Sequence, residues 1–333
     1  MNDVRAFGVG TFHSGTEEFP GLVVDDYVID IRPILPDITR TLDLFANWDE
    51  NLDLLASHVD DTGIPMSTVT VCPPVTPGGM IFAAGVNYRE HIIEMSVAHK
   101  LGRDGASEEE LRADAATDLD NRLASGDPYI WTGIPSAMCG AFDEIRLPDF
   151  GEKLDWEAEL GVVISRRAYR ISESEALDYV AGFVIVNDLT ARSLVARDDI
   201  AKIGTDWFRS KNQPTFFPIG PMIVPQRFIP DWSQLEIKLW LNDELMQDSS
   251  TANMAFSVPA LLSYASSVAI LNPGDVLITG SPAGNGSHWN RFLAQGDVID
   301  IAIDHLGRQR NIVGASLGTQ APWQASRTER VTS

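Results

Sequence analysis

The chain of 333 residues has few cysteines and few basic side chains. Its two cysteines, Cys72 and Cys139, are too few for a disulfide framework and stand in no zinc-binding spacing. We interpret them as core or partly buried thiols. Only 25 Lys and Arg stand against 47 Asp and Glu, which gives a formal net charge of −22. Without a basic face, binding to nucleic acid or to an anionic membrane surface is not expected.

Long apolar runs are also missing from the sequence. No run reaches the ~18 apolar residues that a transmembrane helix needs, and the residues after Met1 contain no apolar signal-peptide core. A hydrophobic content of 44% nevertheless argues against wholesale disorder. We therefore expect a folded cytoplasmic protein that has no membrane partner.

Apolar runs and turn-forming residues divide the chain into three predicted parts. Short apolar runs before the Pro- and Gly-rich stretch 72–79 predict a small β-rich N-terminal domain over residues 1–76. Longer buried-strand patterns, separated by helical segments, predict a catalytic domain over 77–319. The polar residues 320–333 predict a flexible tail. The expected fold class is α+β, mostly β.

Residues 101–127 differ from their surroundings because they are mostly polar and have a helical pattern. Ser107 is suited to be an N-cap, and the acids that follow it at 108–110 suit the first turn of a helix. We predict an inserted helix that either covers the surface or forms a lid.

Two glutamates at the start of an apolar run are the strongest sign of chemistry. Glu157 and Glu159 precede 160–164, and on a strand they point to the same face. Two adjacent carboxylates repel each other, so a proton, a basic partner or a cation must neutralise them. Their oxygens suit Mg²⁺, Mn²⁺ or Ca²⁺ better than zinc. The alternative is a solvated strand face.

Asp188 follows a second apolar run, 183–186, and is a candidate third oxygen ligand. Its alternative role is that of a turn residue or a helix N-cap. With Glu157 and Glu159 it would form a three-carboxylate site that leaves positions open for water and substrate.

His91 and Glu94 stand three residues apart in a helical pattern and would share a face. A carboxylate beside an imidazole fixes its tautomer and raises its basicity, which suits a general base. The commoner alternative is a surface pair.

Lys211 and Ser281 are candidate substrate contacts. Lys211 would supply positive charge to a substrate oxyanion, although most lysines are solvated. Ser281 stands in a Gly-rich turn, 279–284, that would let its hydroxyl and the backbone approach a ligand. The phosphate-loop pattern is absent.

Taken in order, several segments resemble the fumarylacetoacetate hydrolase family over about residues 79–315. They are 85–88 with His91 and Glu94, 155–164, 182–192, Lys211, 218–221 and 273–284. The resemblance implies a mixed β-roll core, a homodimer, and a divalent cation, usually Mg²⁺ or Mn²⁺, on the residues that match Glu157, Glu159 and Asp188. It also implies that His91 and Glu94 form a water-activating dyad and that Lys211 stabilises a developing enolate or carboxylate. Ser281 would replace a substrate-binding Thr.

The resemblance favours a metal-dependent hydrolase that cleaves a C–C bond in a β-diketone, an acylpyruvate or a 2,4-diketo acid. The cation would orient the 1,3-dicarbonyl and polarise it, and the leaving carbanion would be an enolate stabilised by the cation and Lys211. An oxaloacetate-type decarboxylase or a hydroxy-diene-dioate isomerase is the alternative. A non-catalytic metal-stabilised scaffold is a third interpretation, against which the His91–Glu94 pair counts.

The strand after the His91 segment departs from the family pattern. Many relatives carry Lys-Pro there, whereas this chain has Trp131 within 129–135. The departure removes a cation and adds an indole. This argues against a small dianionic substrate. The insert 101–127 predicts an enlarged lid over a bulkier or less charged diketone, and the net charge of −22 favours a substrate of modest negative charge.

Overall fold

The structure is a computed structural model that describes residues 5–98 and 105–316. Its strands are β1 (Gly8–Ser14), β2 (Glu17–Val24), β3 (Tyr27–Asp30), β4 (Ile64–Pro65), β5 (Thr70–Val71), β6 (Ile81–Gly85), β7 (Tyr129–Gly133), β8 (Met138–Gly140), β9 (Ile145–Arg146), β10 (Leu154–Asp155), β11 (Ala158–Ile164), β12 (Val180–Asn187), β13 (Thr190–Ala191), β14 (Phe217–Pro225), β15 (Glu236–Leu241), β16 (Glu244–Ser250), β17 (Val276–Ile278), β18 (Val298–Ile303) and β19 (Gly307–Gly314).

The α-helices are α1 (Trp48–Ala56), α2 (Arg89–Ala98), α3 (Glu108–Ser125), α4 (Trp207–Lys211), α5 (Val258–Val268) and α6 (Gly286–Trp289). Short 3₁₀ helices span Thr41–Asn47, Met66–Thr68, Pro135–Ala137, Glu173–Tyr179, Arg192–Leu194, Asp198–Ile200, Gln226–Phe228, Trp232–Gln234 and Thr251–Asn253. None of the helices in the described part of the chain has the length and apolar composition needed to span a bilayer.

A large mixed sheet organises the molecule. Its strands follow the order β4-β3-β2-β1-β14-β12-β11-β17-β6-β7, with β5 beside β1 and β8 beside β14. The pairs β17/β6 and β8/β14 are parallel, and the other pairs in this sheet are antiparallel. A second sheet has the order β16-β15-β18-β19-β9, and β10 pairs with β13. The predicted α+β fold, mostly β, is confirmed.

The central strands are apolar throughout because both of their faces are buried. Along β11, Leu160 and Val162 pack into one core with side chains of the second sheet and α5. Val163, on the opposite face, packs into another core with Leu22 and Leu44 of the N-terminal segment. Side chains that alternate along a strand therefore enter two different cores.

The N-terminal segment is joined to the rest of the chain by backbone pairing. Val9 of β1 lies opposite Ile223 of β14, so the large sheet continues across residue 76. The domain boundary predicted there stays a prediction.

Helix α3 begins as its sequence indicates. The hydroxyl of Ser107 accepts a hydrogen bond from the backbone N–H of Glu110 at 3.3 Å, as in a capping box. Leu111, Ala115 and Leu119 are the buried residues of α3, which packs against α2. The start of the predicted insert at 101–104 and the predicted tail lie outside the described residues. The two cysteines are free, Cys139 buried and Cys72 partly buried, as expected.

Four strand ends meet at one edge of the large sheet. The parallel strands β6 and β17 end there together. Strand β11, antiparallel to both β17 and β12, begins there, and β12 ends there. The residues just outside these ends are therefore brought together, although they are far apart in the chain.

Candidate active site

A cavity of about 550 Å³ opens at this edge of the large sheet. Its wall contains six of the residues predicted from sequence, namely His91, Glu157, Glu159, Asp188, Lys211 and Ser281. The wall also contains aliphatic and aromatic side chains from α2, from β7 and from the segment before α4.

The three predicted metal ligands form a buried cluster in this wall. Glu157, Glu159 and Asp188 are 6%, 2% and 2% exposed, and each offers a carboxylate oxygen within 4.8 Å of the others. Asp188 is held beside Glu157 because its backbone N–H donates to the Glu157 carbonyl at 2.9 Å. The alternative of a solvated strand face is wrong.

Two basic side chains compensate part of this negative charge. Nζ of Lys211 donates to Oε2 of Glu157 at 2.6 Å and also to Oδ2 of Asp188. Arg192 donates through Nη2 to Oε1 of Glu157 at 2.7 Å, and through Nε to Oδ2 of Asp155 at 2.7 Å. Lys211 is 3% exposed, so its interpretation as a solvated lysine is wrong.

Sequence reasoning missed the roles of Arg192 and Asp155. Both residues stand inside the family-like segments, and Asp155 precedes Glu157 by two positions. The ladder between β10 and β13 brings them together, because Asp155 lies opposite Thr190 and Arg192 follows two residues later. The contact between Arg192 and Asp155 depends on this pairing of distant segments, so a local sequence pattern does not predict it.

The surroundings shift the pKa of each carboxyl group differently. Burial raises the pKa of Glu159, and the nearby charges of Asp188 and Glu157 raise it further. Burial also raises the pKa of Asp188, against the opposing effect of Lys211. For Glu157, burial is outweighed by the positive charges of Arg192 and Lys211, which lower its pKa.

The cluster has the properties of a site for a divalent cation. Oδ1 of Asp188 is buried and has no hydrogen-bond partner among residues 5–98 and 105–316. The carboxyl groups of Asp155, Glu157, Glu159 and Asp188 face only Arg192 and Lys211 as ion-pair partners in that part of the chain. When all four are ionised, as ligands of a cation would be, two negative charges are left uncompensated. Oxygen donors with this residual charge fit Mg²⁺, Mn²⁺ or Ca²⁺.

His91 extends from α2 into the cavity and is half-buried. Its Nδ1 is a buried atom without a hydrogen-bond partner in the described chain. Burial lowers the pKa of His91 to about 4, despite the opposing charge of Glu157. The imidazole is therefore neutral near pH 7 and able to accept a proton.

The predicted contact between His91 and Glu94 is not found among the described residues. Oε2 of Glu94 instead lies 3.1 Å from Nδ1 of His288, which belongs to α6. The helical spacing places His91 and Glu94 near each other, but His91 turns into the cavity whereas Glu94 turns to α6. No local pattern pointed to His288, because the contact depends on how α2 packs against α6.

Ser281 lies in the cavity wall after β17, and its hydroxyl accepts a hydrogen bond from Nε2 of Gln247 at 3.0 Å. The neighbouring Gly280 has a φ of +90° and donates its N–H to Oε2 of Glu159 at 2.7 Å. Glycine adopts this backbone conformation without strain, which explains the Gly-rich turn at this position. The substrate-binding role of Ser281 stays a prediction.

Comparison with known proteins identifies the family. Residues 80–314 match the family model described as fumarylacetoacetate (FAA) hydrolase C-terminal. The chain belongs to the fumarylacetoacetate hydrolase family. It is 31% identical to the mitochondrial oxaloacetate tautomerase fahd2 of Xenopus laevis, over 86% of this chain and 82% of that protein. It is 32% identical to the 2,4-didehydro-3-deoxy-L-rhamnonate hydrolase of a Sphingomonas species, over 89% of this chain and 92% of that protein.

Solved structures of the fumarylacetoacetate hydrolase family share the fold. Maleylpyruvate hydrolase from Sphingobium sp. SYK-6, in complex with manganese(II) and pyruvate, aligns with a TM-score of 0.71 and 25% identity over 93% of this chain and 99% of that one. Fumarylacetoacetate hydrolase from Exiguobacterium antarcticum aligns with a TM-score of 0.70 and 25% identity over 93% of this chain and all of that one. The relatives are enzymes of this family, and they include hydrolases, isomerases and tautomerases.

Proposed function

We propose that this chain is a metal-dependent hydrolase that cleaves a C–C bond in a β-diketone, an acylpyruvate or a 2,4-diketo acid. The observation that carries the proposal is the buried cluster of Glu157, Glu159 and Asp188, in which Oδ1 of Asp188 lacks a partner among the described residues. A neutral His91 lines the same cavity. Manganese(II) and pyruvate in the similar maleylpyruvate hydrolase structure support this assignment.

Glu157, Glu159 and Asp188 would hold the cation, preferably Mg²⁺ or Mn²⁺. When bound, a divalent cation orients a 1,3-dicarbonyl through its two oxygens and polarises the carbonyl that is attacked. The residual charge of the cluster favours binding of such an ion.

The chain's own residues would carry out the proton transfers. His91 takes a proton from a water molecule, whose oxygen adds to the polarised carbonyl. The bond from that carbon to the neighbouring CH₂ then breaks, and the electron pair leaves as an enolate. Lys211 keeps its contacts with Glu157 and Asp188 and donates its third N–H to the enolate oxygen. Ser281 donates a hydrogen bond to a substrate oxygen, and the proton on His91 returns to the carbanion. The products are a carboxylic acid and a ketone.

A proton-transfer reaction without hydrolysis is the second candidate. The relative of Xenopus laevis is an oxaloacetate tautomerase and covers most of this chain. The same base, His91, would move a proton between carbon and oxygen atoms of a keto acid. Decarboxylation of a β-keto acid and isomerisation of a hydroxy-diene dioate pass through similar enolates.

The test is to incubate the purified chain with acylpyruvates, oxaloacetate and a hydroxy-diene dioate, with Mg²⁺ or Mn²⁺ and with a chelator. Products are identified by mass spectrometry. We expect a carboxylic acid and pyruvate from an acylpyruvate, with rates that fall at least about a hundredfold in His91→Asn and Glu157→Gln. Tautomers, isomers or CO₂ without cleavage by water would favour the second candidate.

The surface variants His305→Asn and Glu244→Gln are the matched controls, because both residues are exposed and neither lines the cavity. Asn tolerates the left-handed backbone at His305, where φ is +65°. Turnover at the native rate in both His91→Asn and Glu157→Gln would contradict the assignment of these two residues to the active site. We further propose that the protein is cytoplasmic and that it forms a homodimer. Light scattering on the peak that elutes from a sizing column would test the homodimer.

A further inference from the structure

The positive charges in the cavity are already used by the protein. Among the described residues that line it, the cations are Arg192 and Lys211. Arg192 is paired with Asp155 and Glu157, and Lys211 with Glu157 and Asp188. Each of these pairs is largely buried, so breaking one to bind a distant substrate carboxylate would leave an uncompensated buried charge. A second negative group on the substrate therefore has no ready partner among the described residues that line the cavity.

The same cavity offers apolar and aromatic surface instead. Tyr129, Trp131 and Trp207 line it, together with Ile92 and Met95 of α2. Trp131 and Trp207 lie nearly parallel, with an angle of 20° between their planes and 6.1 Å between centroids. Both indoles are only partly buried, so part of their surface faces the cavity.

Other side chains hold this aromatic wall in place. The ring of Phe217 stacks against Trp131, with 6.1 Å between centroids and 30° between the ring planes, and Nζ of Lys211 lies 5.1 Å from the centre of the Trp131 ring. Because Lys211 also contacts Glu157 and Asp188, the aromatic wall begins beside the carboxylate cluster. A ligand anchored at the cluster would extend along Trp131.

The size of the cavity points to a ligand larger than a simple keto acid. At about 550 Å³, it lies within the ~300–1,000 Å³ range of pockets that bury drug-sized ligands. A four- or five-carbon keto acid would leave much of the aromatic wall in contact with water.

We infer that the substrate is a 2,4-dioxo acid with one carboxylate at the cation-binding end and a flat, uncharged, apolar group that stacks on Trp131 and Trp207. This inference rests on the proposed function and specifies its substrate class. It separates the chain from relatives whose names specify dicarboxylates, such as the oxaloacetate tautomerase and the maleylpyruvate hydrolase.

The test compares kcat/KM for three substrates with Mg²⁺. They are 2,4-dioxo-4-phenylbutanoate, the methyl analogue 2,4-dioxopentanoate, and the dianion maleylpyruvate. We expect the phenyl compound to exceed both others at least about tenfold, because its ring buries against the indoles. Equal values, or a preference for the methyl compound or the dianion, would overturn the inference and leave the proposed hydrolase intact.

Variants of Trp131 link the preference to the aromatic wall. Trp131→Ala should lower the phenyl-to-methyl ratio about tenfold, and Trp131→Phe should restore most of it, because a flat ring is retained. Trp240→Phe is the matched control, since Trp240 belongs to β15 and does not line the cavity. A ratio that is unchanged in Trp131→Ala would contradict the inference.

Binding decides the inference even if no substrate is turned over. In that case the proposed function fails. The phenyl and methyl compounds are then titrated into the protein with Mg²⁺ present, and the quenching of tryptophan fluorescence reports their binding. We expect the phenyl compound to bind at least about tenfold more tightly, and to lose this advantage in Trp131→Ala. Equal affinities would overturn the substrate class as well.

Discussion

Glu94 lies against His288, not against His91, although His91 stands on the same helix only three residues before it. The contact joins α2, which carries the candidate base, to α6, which follows the Gly-rich turn. His91 is consequently left in the cavity wall with a buried Nδ1 that has no partner in the described part of the chain. A dyad of His91 and Glu94 would require Glu94 to leave His288.

Thermodynamic coupling between these side chains tests this arrangement. A double-mutant cycle of Glu94→Gln and His288→Ala should give a coupling of ~0.2–1 kcal/mol in the free energy of unfolding, as expected for a partly exposed pair. The matched cycle of Glu94→Gln and His91→Asn should give about zero. Urea unfolding measures both cycles, and the reverse pattern would restore the dyad predicted from the sequence.

Replacing one carboxyl group of the cluster by an amide should weaken cation binding without lowering the stability of the metal-free protein. Glu159→Gln replaces a carboxyl group whose ionised form is disfavoured by burial and by the charges of Asp188 and Glu157, while the amide oxygen still accepts the N–H of Gly280. We expect the variant to have a melting temperature equal to or above that of the native chain in chelator. Saturating Mn²⁺, at about 100 times Kd, should raise the native Tm by about 5 °C and the variant's far less. Glu244→Gln should respond as the native chain does, and a full Mn²⁺ response in Glu159→Gln would exclude it as a ligand.

The pH dependence of activity should reflect the low pKa of His91. Burial, with the charge of Arg192 acting in the same direction, lowers this pKa to about 4, from about 6.5 in an unfolded chain. The imidazole stays neutral down to that region, so kcat/KM should fall on the acid side near pH 4–5 and not near 6.5. A bound cation would lower the pKa further. An acid limb centred at 6.5, measured at saturating Mg²⁺ so that Asp188 stays ionised, and under conditions where the fold is intact, would contradict this.

The same shift affects stability with a definite sign. Between pH 6.5 and 4 the unfolded chain binds a proton at His91 that the folded chain does not, so the free energy of unfolding falls as the pH is lowered. His91→Asn should lose less stability over this interval than the native chain. The matched variant His305→Asn should follow the native curve, and urea midpoints at several pH values would show the difference.

Arg192, whose role was missed from the sequence, should be important for stability. Its side chain is 14% exposed and forms ion pairs with both Asp155 and Glu157. Arg192→Met should cost about 3–5 kcal/mol in the free energy of unfolding, because buried Asp155 loses its ion-pair partner and Glu157 keeps only Lys211. Arg192→Lys should cost less, since the charge remains although only one contact is kept. Arg310→Met is the surface control, with an expected loss below about 1 kcal/mol. Equal losses in Arg192→Met and Arg310→Met would refute the argument.

The part of the site that backbone periodicity determines could be predicted from the sequence. Glu157 and Glu159 share a face because strand side chains alternate, and Asp188 joins them because β12 ends where β11 begins. The N-cap of α3 is likewise a local feature, and it was found at Ser107. Local pattern contains no information about which distant segments touch. The contacts of Arg192 with Asp155 and of Glu94 with His288 were therefore missed.

The role of α3 could not be read from its sequence either. In the described part of the chain, no residue from 105 to 127 lines the cavity, and α3 instead packs behind α2. The lid stays a prediction, and the structure shows instead a contact between α3 and a residue of the cavity wall. Arg122 of α3 donates a hydrogen bond to the carbonyl of Val86, which lines the cavity just before α2.

Removing the hydrogen bond from Arg122 to Val86 should slow catalysis because the start of α2, which carries His91, is displaced, and not because a charge is lost. Val86 has a φ of +56°, a left-handed conformation that a β-branched residue rarely adopts, so its neighbours must hold it there. Arg122→Ala should release Val86 and the start of α2, and lower kcat/KM about tenfold, since small displacements of a base are costly.

Arg112→Ala is the matched control on the same helix, because Arg112 contacts only the exposed Glu108 among the ion pairs of the described chain. Combining Arg122→Ala with Val86→Gly, which adopts this φ freely, should add little further loss. If Arg112→Ala slows the enzyme as much as Arg122→Ala, the effect belongs to α3 as a whole and this route through Val86 is wrong.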